Sequence, residues 1–239
     1  MTDDLDPDLD PPDSDSIAHH LLVESGMVGL LRPSMVGVAR RLGLGFAFDV
    51  PANAHSYLEG SHTIHLTPST TKGEVVEQVR HELGHAGLDE FGVPRRRQEL
   101  FADDVGTSLE MPCYGPRTLA RRHGFFPQMF IQFYRDVAPP SLIIQRAAYL
   151  CGTPVILYSN VVGRVVMTQT QDGSVELELG TKEERKLCQR VEASGEWELG
   201  PFGVIAFPWR LKRHHGIAIT FDLRRSLSRV VYGYEWAAE

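Results

Sequence analysis

Two histidines stand four residues apart in the segment His81-Glu82-Leu83-Gly84-His85, and this spacing constrains the chain more than any other feature. On an α-helix, residues i and i+4 lie on the same face, so both imidazoles can reach one metal ion. A catalytic zinc site takes three protein ligands and keeps one position open. Glu82, about 100° around the helix from His81, can take a proton from a water that the metal activates. The segment therefore predicts a zinc-type metallopeptidase site, with Glu82 as general base and then general acid.

Local signals place the histidine pair inside a helix. Thr71 and Glu74 form a capping-box pattern, in which each side chain binds the other's backbone N–H group. Apolar side chains then recur every four residues, and a glycine and a proline close the pattern. We expect a helix from Glu74 to about Leu88.

A second helix is predicted from about Arg95 to Met111, ending before Pro112. One of its faces carries small and acidic residues and another carries apolar core residues (Glu99, Ala102, Asp103 and Gly106, against Phe101, Val105 and Leu109). The small residues would let this helix approach the metal helix closely.

Glu99 is the expected third metal ligand, and a solvated acid beside the neighbouring arginines is the alternative. Asp103, one turn further on, is expected to accept a hydrogen bond from the free ring nitrogen of a liganding histidine. Asp89 is less suitable as a ligand, because its direction has drifted by about 40° from that of His85 where the helix ends.

The segments VRHELGHAGLDEFG and ELFADDVGTSLEMP resemble the signature of the ImmA/IrrE family of metallopeptidases. That family pairs an H-E-L-G-H helix with a downstream E-x-E-A-N-x-F-A-x-x-L-L-M-P helix. Aligned on Met111, Glu99 matches the first acid and Asp103 matches the asparagine. The chain departs from the family pattern at the second acid, the phenylalanine and one leucine (Phe101, Val105 and Glu110).

This resemblance covers about residues 34–150 and is highly specific only over 79–112. It implies an α+β fold with a zincin-like metallopeptidase core, in which a small sheet accompanies the HExxH helix. Members of the family cleave a partner transcriptional repressor, often one with a helix-turn-helix, and so switch on a stress or mobile-element response. The resemblance therefore implies a protein substrate of this kind.

Two details of the site stay open. The metal is most simply zinc, but the affinity order of divalent metals leaves manganese and iron as alternatives. Tyr57, Tyr114 and His123 are candidates for stabilising an oxyanion, and the sequence does not choose between them.

A strand containing His62 and His65 is predicted ahead of the metal helix. The two side chains would point to opposite faces, so they are not expected to bind one metal. They are read as edge-strand polar residues, with a place in the cleft as the alternative. An extended substrate could add to an exposed sheet edge beside Ile64.

The chain is expected to have four parts. Residues 1–16 form an acidic tail that holds seven aspartates and no basic residue, a composition typical of disorder. A metallopeptidase core over 17–123 and a helical, helix-turn-helix-like segment over 124–150 follow. The last part, 151–239, is β-rich from its strand-like runs, and either a sensory or a purely structural module.

Composition limits the class of protein. No apolar run is long enough to span a membrane and no targeting segment is visible, so no membrane partner is expected. Three cysteines without a C-x-x-C spacing fit a reducing cytoplasm. Basic clusters at 210–215 and 224–229 indicate a solvated surface, with nucleic acid or an acidic partner as the alternative. The rival to a peptidase is therefore a non-catalytic, metal-binding regulatory or DNA-binding protein.

Overall fold

A computed structural model describes residues 13–51, 56–58, 62–68, 71–160, 163–167, 169–170, 173–174, 181–200 and 204–221. The chain divides into two compact units between Gly115 and Pro116. This division differs from the predicted boundaries after residues 123 and 150. The helices that follow Pro116 belong to the same unit as the C-terminal sheet.

The first unit combines helices with a small three-stranded sheet. Its elements are α1 (Ser14–Glu24), α2 (Met35–Arg41), β1 (Gly45–Ala47), β2 (Ser56–Leu58), β3 (Thr63–His65), α3 (Lys72–Glu90), α4 (Arg95–Gln98) and α5 (Ala102–Glu110). Helix α6 (Tyr114–His123) begins at the end of this unit.

Helix α1 begins inside the predicted acidic tail. The Asp13 carboxylate accepts hydrogen bonds from the Asp15 N–H at 2.8 Å and the Ser16 hydroxyl at 2.6 Å, and so caps the helix. The prediction of disorder was therefore wrong for 13–16, because an aspartate at a helix start binds the orphan N–H groups and suits the helix dipole. Residues 1–12 of the predicted tail lie outside the described residues.

The small sheet has the strand order β1-β3-β2. Strands β1 and β3 are parallel, with Phe46 opposite Ile64, and β2 pairs with β3 in antiparallel fashion. The predicted open edge beside Ile64 is therefore wrong, because β3 is paired on both sides and Ile64 is 0% exposed. Among the described strands, β1 and β2 form the edges of this sheet. His62 precedes β3 with a φ of 52°, so it is not part of the predicted strand.

The core of the first unit lies between helices α1, α2, α3 and α5 and strand β3. Helix α3 contributes a stripe of apolar side chains at helical spacing, as its sequence predicts. The largest fully buried members of the core are Ile17, Leu22, Met35, Ile64, Leu66, Leu83, Leu88 and Leu109. A 19-residue helix buried along one side gives the histidine pair a rigid support.

The second unit is built around a five-stranded antiparallel sheet. Its elements are α7 (Pro127–Phe133), α8 (Pro140–Leu150), β4 (Val155–Ser159), β5 (Gly163–Met167), β6 (Gln169–Thr170), β7 (Gly173–Ser174), α9 (Thr181–Ser194), β8 (Glu198–Leu199), β9 (Val204–Leu211) and β10 (His214–Phe221). The strand order of the large sheet is β5-β4-β10-β9-β8, and β6 with β7 forms a separate hairpin.

Helices cover both faces of the large sheet. On one face α9 packs through Leu187 and Val191, and on the other α7 and α8 pack through Ile131 and Ile144. The strands predicted at 155–158, 164–168, 204–207 and 217–221 are confirmed, apart from residue 168, which is not described. The β-rich prediction for this part did not include helix α9, which lies between the strands. The runs predicted at 175–179 and 230–232 lie outside the described residues.

Both units mix helices and strands, so the α+β class is confirmed. Among the helices of the described ranges, none has the length and apolarity to cross a membrane.

Candidate metal centre

Helix α3 places the histidine pair as predicted. The Thr71 hydroxyl accepts a hydrogen bond from the Glu74 N–H at 3.3 Å and caps the helix, which runs from Lys72 to Glu90. Gly92 follows with a φ of +71°, a left-handed conformation that glycine adopts readily. His81 and His85 therefore lie in mid-helix, where the backbone is held by hydrogen bonds on both sides.

Small residues bring helix α5 against helix α3. A Cβ atom on Gly84 would lie only 2.1 Å from the Ala102 carbonyl oxygen, and one on Gly106 would lie 2.7 Å from the Arg80 carbonyl oxygen. Neither glycine could carry a side chain without displacing a backbone. The predicted close approach through Ala102 and Gly106 is confirmed, and it also explains Gly84 between the two histidines.

Three predicted site residues meet at one point. The Nε2 atoms of His81 and His85 are 3.1 Å apart. Glu99 reaches both of them, with Oε1 at 3.3 Å from His85 Nε2 and Oε2 at 3.6 Å from His81 Nε2. His81 and His85 are 23% and 12% exposed, whereas the Glu99 side chain is 72% exposed. The cluster therefore sits at the surface of the unit with its histidines recessed.

These separations suit a tetrahedral metal. Two ligand atoms that each lie about 2.0–2.1 Å from a tetrahedral zinc ion are roughly 3.3–3.4 Å apart. The Nε2 atoms are 3.1 Å apart, and the Glu99 oxygen nearer to each histidine lies at 3.3 or 3.6 Å, so all three distances are close to that value. Two imidazoles and one carboxylate are also a donor set that catalytic zinc sites use. The residues present therefore fit the predicted ion.

Gln98 orients His85, and sequence reasoning missed it. Its amide nitrogen donates to the Val93 carbonyl oxygen at 2.8 Å and to the Asp89 carboxylate, and both of these groups can only accept. The amide oxygen must therefore face His85 Nδ1, which lies 3.0 Å away and has to donate to it. Gln98 is only 1% exposed, so this arrangement is shielded from water.

Asp103 holds His81 in the same way. Its carboxylate oxygen lies 3.0 Å from His81 Nδ1. A carboxylate accepts, so the Nδ1 atom carries the proton that is donated. The structure thus brings Asp103 to the ring nitrogen for which it was predicted.

The two orienting contacts determine what faces the cluster centre. With Nδ1 of each ring donating outwards, a neutral His81 and a neutral His85 present unprotonated Nε2 atoms to each other. Their lone pairs converge with the Glu99 carboxylate on one space. These atoms repel one another unless a positive charge lies between them, and a divalent metal ion would supply such a charge.

Glu82 lies on the same helix between the two histidines in sequence. It is 2% exposed, so its carboxylate is buried within the unit.

The segment that carries Glu99 differs from its prediction. Instead of one helix from 95 to 111, there are two, and Glu99 caps the end of α4 before α5 begins at Ala102. No proline or glycine marks this break. Gln98 anchors the short helix α4 back to Val93 and Asp89, and this tertiary contact overrides local helix preference.

The remaining predicted candidates have other contacts, belong to the second unit, or have a side chain that is not described. Asp89 binds Gln98 instead of joining the cluster. The Tyr114 ring is partly buried beside the backbone of Gly29 and Leu30, and burial raises the pKa of its hydroxyl. His123 is exposed at the end of α6, and the side chain of Tyr57 is not described. The structure therefore assigns none of the three oxyanion candidates to the cluster.

Glu110, one of the departures from the family pattern, has a structural place. It is 3% exposed and lies 3.6 Å from the Arg32 guanidinium and 3.8 Å from that of Arg80. Because Arg80 directly precedes His81, this ion network ties α3 to α5 next to the cluster. A leucine at the same position would leave Arg80 without this partner.

Two other histidines form ion pairs away from the cluster. His65 Nδ1 lies 2.8 Å from the Asp49 carboxylate. His20 Nε2 lies 2.9 Å from Glu90 and 3.6 Å from Glu24, and the hydrogen bond to Glu90 raises the pKa of His20. The second group could also hold a cation by spacing, but all three side chains are about 40% exposed.

A cavity of about 340 Å³ opens beside His81. Its walls come from the same face of α3 and from α5 (Glu74, Glu77, Gln78, His81 and Asp103). The cavity therefore adjoins the histidine cluster and is lined by three carboxylates.

The chain was also compared with known proteins. No protein-family model matches it, and no curated protein matches it either. Among solved structures it is similar to a Mycobacterium tuberculosis transcriptional regulator, with a TM-score of 0.51 and 12% identity, over 89% of this chain and 77% of that chain. At such identity the likeness shows a shared fold and carries no activity from one protein to the other.

Proposed function

We propose that this chain is a zinc-dependent endopeptidase whose ligands are His81, His85 and Glu99. One observation carries the proposal: two imidazole Nε2 atoms and the two oxygens of the Glu99 carboxylate converge at 3.1–3.6 Å, while both histidines donate their other ring nitrogen outwards. A structural ion pair does not require two oriented imidazoles to face each other, whereas a metal site does. The resemblance of the two site segments to ImmA/IrrE peptidases supports the same reading, and with it a zincin-like core.

Glu82 would move the proton during hydrolysis. When bound, zinc supplies Lewis acidity to the attacking water and to the substrate carbonyl group. The Glu82 carboxylate accepts a proton from that water as it attacks the carbonyl carbon. It then delivers the proton to the nitrogen of the leaving amine as the peptide bond breaks. Gln98 and Asp103 keep the two imidazoles in the tautomer that leaves Nε2 free.

The substrate would be an extended segment of a protein. Strand β2 is an edge of the small sheet and contacts α3, so a peptide that pairs with it would lie alongside the metal helix. The carboxylates that line the cavity beside His81 would favour a positively charged segment there. A basic, helix-turn-helix repressor is a substrate of this character, in keeping with the family resemblance.

The test is incubation of the purified protein with candidate repressors encoded near its gene. We expect discrete cleavage by the wild type and none by Glu82→Gln, with zinc retained in both. Glu183→Gln, which changes an exposed glutamate in the second unit, is the matched control and should cleave normally. If Glu82→Gln still cleaves, the catalytic role of Glu82 is refuted. If neither protein cleaves any candidate but both hold zinc, the non-catalytic regulatory alternative is favoured.

A further inference from the structure

The second unit contains a cavity of about 740 Å³ between helix α9 and the large sheet. This volume is within the range of small-molecule sites in proteins. The sheet side is formed by the adjoining ends of β4, β5 and β10, and the helix side by one stripe of α9 (Arg185, Cys188, Gln189 and Glu192). No residue of the metal centre lines it.

The strand register places aromatic, aliphatic and charged side chains side by side on the sheet side of this cavity. Tyr158 lies opposite Arg164 on one side and Ile217 on the other, so the three side chains stand in one row across β5, β4 and β10. The row faces α9, because Tyr158 and Ile217 belong to the same apolar cluster as Leu187. A planar ring and an aliphatic side chain thus lie beside a guanidinium group.

A buried carboxylate holds that guanidinium group in place. Glu184 is 2% exposed and accepts hydrogen bonds from Arg164 Nε at 2.7 Å and Arg164 Nη2 at 3.1 Å, and also from the Tyr158 hydroxyl. Burial alone would raise the pKa of Glu184, but these donors hold it below its ordinary value. Burial also raises the pKa of Tyr158 to about 12. Burying charged groups has a desolvation cost, and a pair of apolar side chains would hold α9 against the sheet equally well. The network therefore indicates that the fixed position of Arg164 has a function.

Three polar side chains on the α9 side of the cavity are uncommitted. Among the described residues, the side chains of Arg185, Gln189 and Glu192 make no hydrogen bond or ion pair. Arg185 adds a second cation, whereas Glu192 lies two turns further along the helix and adds a negative charge. A doubly charged phosphate would meet repulsion from Glu192, and a single carboxylate would not have to approach it.

We propose that this cavity binds a small carboxylate with a planar, apolar body. The carboxylate would pair with Arg185 and the outward donors of Arg164, and the body would lie over Tyr158 and Ile217. This site is independent of the peptidase proposal and stands whether or not the metal centre is catalytic.

The experiment uses the fluorescent anion 8-anilinonaphthalene-1-sulfonate with the full-length protein. We expect binding at one site per chain, about tenfold or more weaker in Arg185→Glu because a charge-assisted pair is lost. Lys186→Glu makes the same charge change at the next, exposed residue outside the cavity, and should bind as the wild type does. Indole-3-carboxylate should displace the probe, and phenyl phosphate and tryptamine should do so poorly.

A second measurement locates the probe without any substitution. Cys188 lines the cavity, and burial raises the pKa of its thiol to about 11, so its alkylation by iodoacetamide is slow but measurable by mass spectrometry. Bound indole-3-carboxylate should slow the reaction of Cys188 and leave that of Cys113 unchanged. No binding of either compound, equal weakening by Arg185→Glu and Lys186→Glu, or unprotected Cys188 would each overturn the proposal.

Discussion

Gln98→Met tests whether the orientation of His85 matters for metal binding. Methionine is similar in size and keeps the buried volume filled, but it cannot accept the hydrogen bond from His85 Nδ1. It also removes the donors to Val93 and Asp89. A neutral hydrogen bond contributes about 0.5–1.5 kcal/mol and one to a charged group about 1.5–3 kcal/mol. We therefore expect the metal-free protein to lose about 3 kcal/mol of unfolding free energy.

Zinc affinity should fall as well. Loss of a group that orients a liganding histidine typically weakens metal binding about 10–100-fold. Competition with a fluorescent zinc chelator measures this directly, at a temperature where the variant is folded. Gln78→Met is the matched control, because Gln78 lies on the same face of α3 but binds the Thr67 N–H at 3.0 Å. The reasoning is refuted if Gln98→Met and Gln78→Met bind zinc equally well.

Three further outcomes follow from the geometry. Gly84→Ala should destabilise the fold by about 3 kcal/mol, because its Cβ would meet the Ala102 carbonyl oxygen at 2.1 Å. The control Gly73→Ala, whose Cβ would have nothing within 4 Å, should be neutral or slightly stabilising. Chemical denaturation measures both. The raised pKa of His20 means that its pairing with Glu90 stabilises the fold below the unfolded-state pKa of 6.5 and is lost as pH rises through the folded-state value. His20→Gln should therefore lower the unfolding temperature more at about pH 5.5 than at pH 9, and an equal effect at both would contradict this. Chelation of zinc should lower the unfolding temperature of the wild type, since a ligand at about 1,000 times its Kd adds roughly 4 kcal/mol; an unchanged temperature would argue against a bound metal.

The sequence predicted the parts of the site that depend on local spacing. A capping residue, an apolar stripe and two histidines one turn apart are all signals within a single helix, and α3 has them. The proximity of Glu99 and Asp103 was predicted as well, because small residues at Ala102 and Gly106 leave room for close helix packing.

The parts that depend on tertiary contacts were missed. Gln98 stands after three arginines and reads as a surface residue, yet it is buried because its amide satisfies His85, Asp89 and Val93 together. The same contacts end α4 where no helix-breaking residue stands. Strand order is equally non-local, so the interior position of β3 had no signature in its own residues.

Helix α9 was missed for a different reason. Leu187 and Val191 have the four-residue spacing of a helix, but they lie among charged residues that resemble a loop. These apolar side chains are buried only because the large sheet packs against this face of α9. Glu184 is buried on the same face of α9 as Leu187 and Val191, so the buried face extends over residues 184–191.

The most direct test of the central claim is the metal content of the purified chain. Protein prepared without added metal or chelator should contain about one zinc ion per chain by inductively coupled plasma mass spectrometry, and Glu82→Gln should contain the same. His85→Ala should lose the ion, because a ligand is removed, while remaining folded by circular dichroism. A wild-type chain that holds no divalent metal, and takes up none on titration with zinc, would contradict the account.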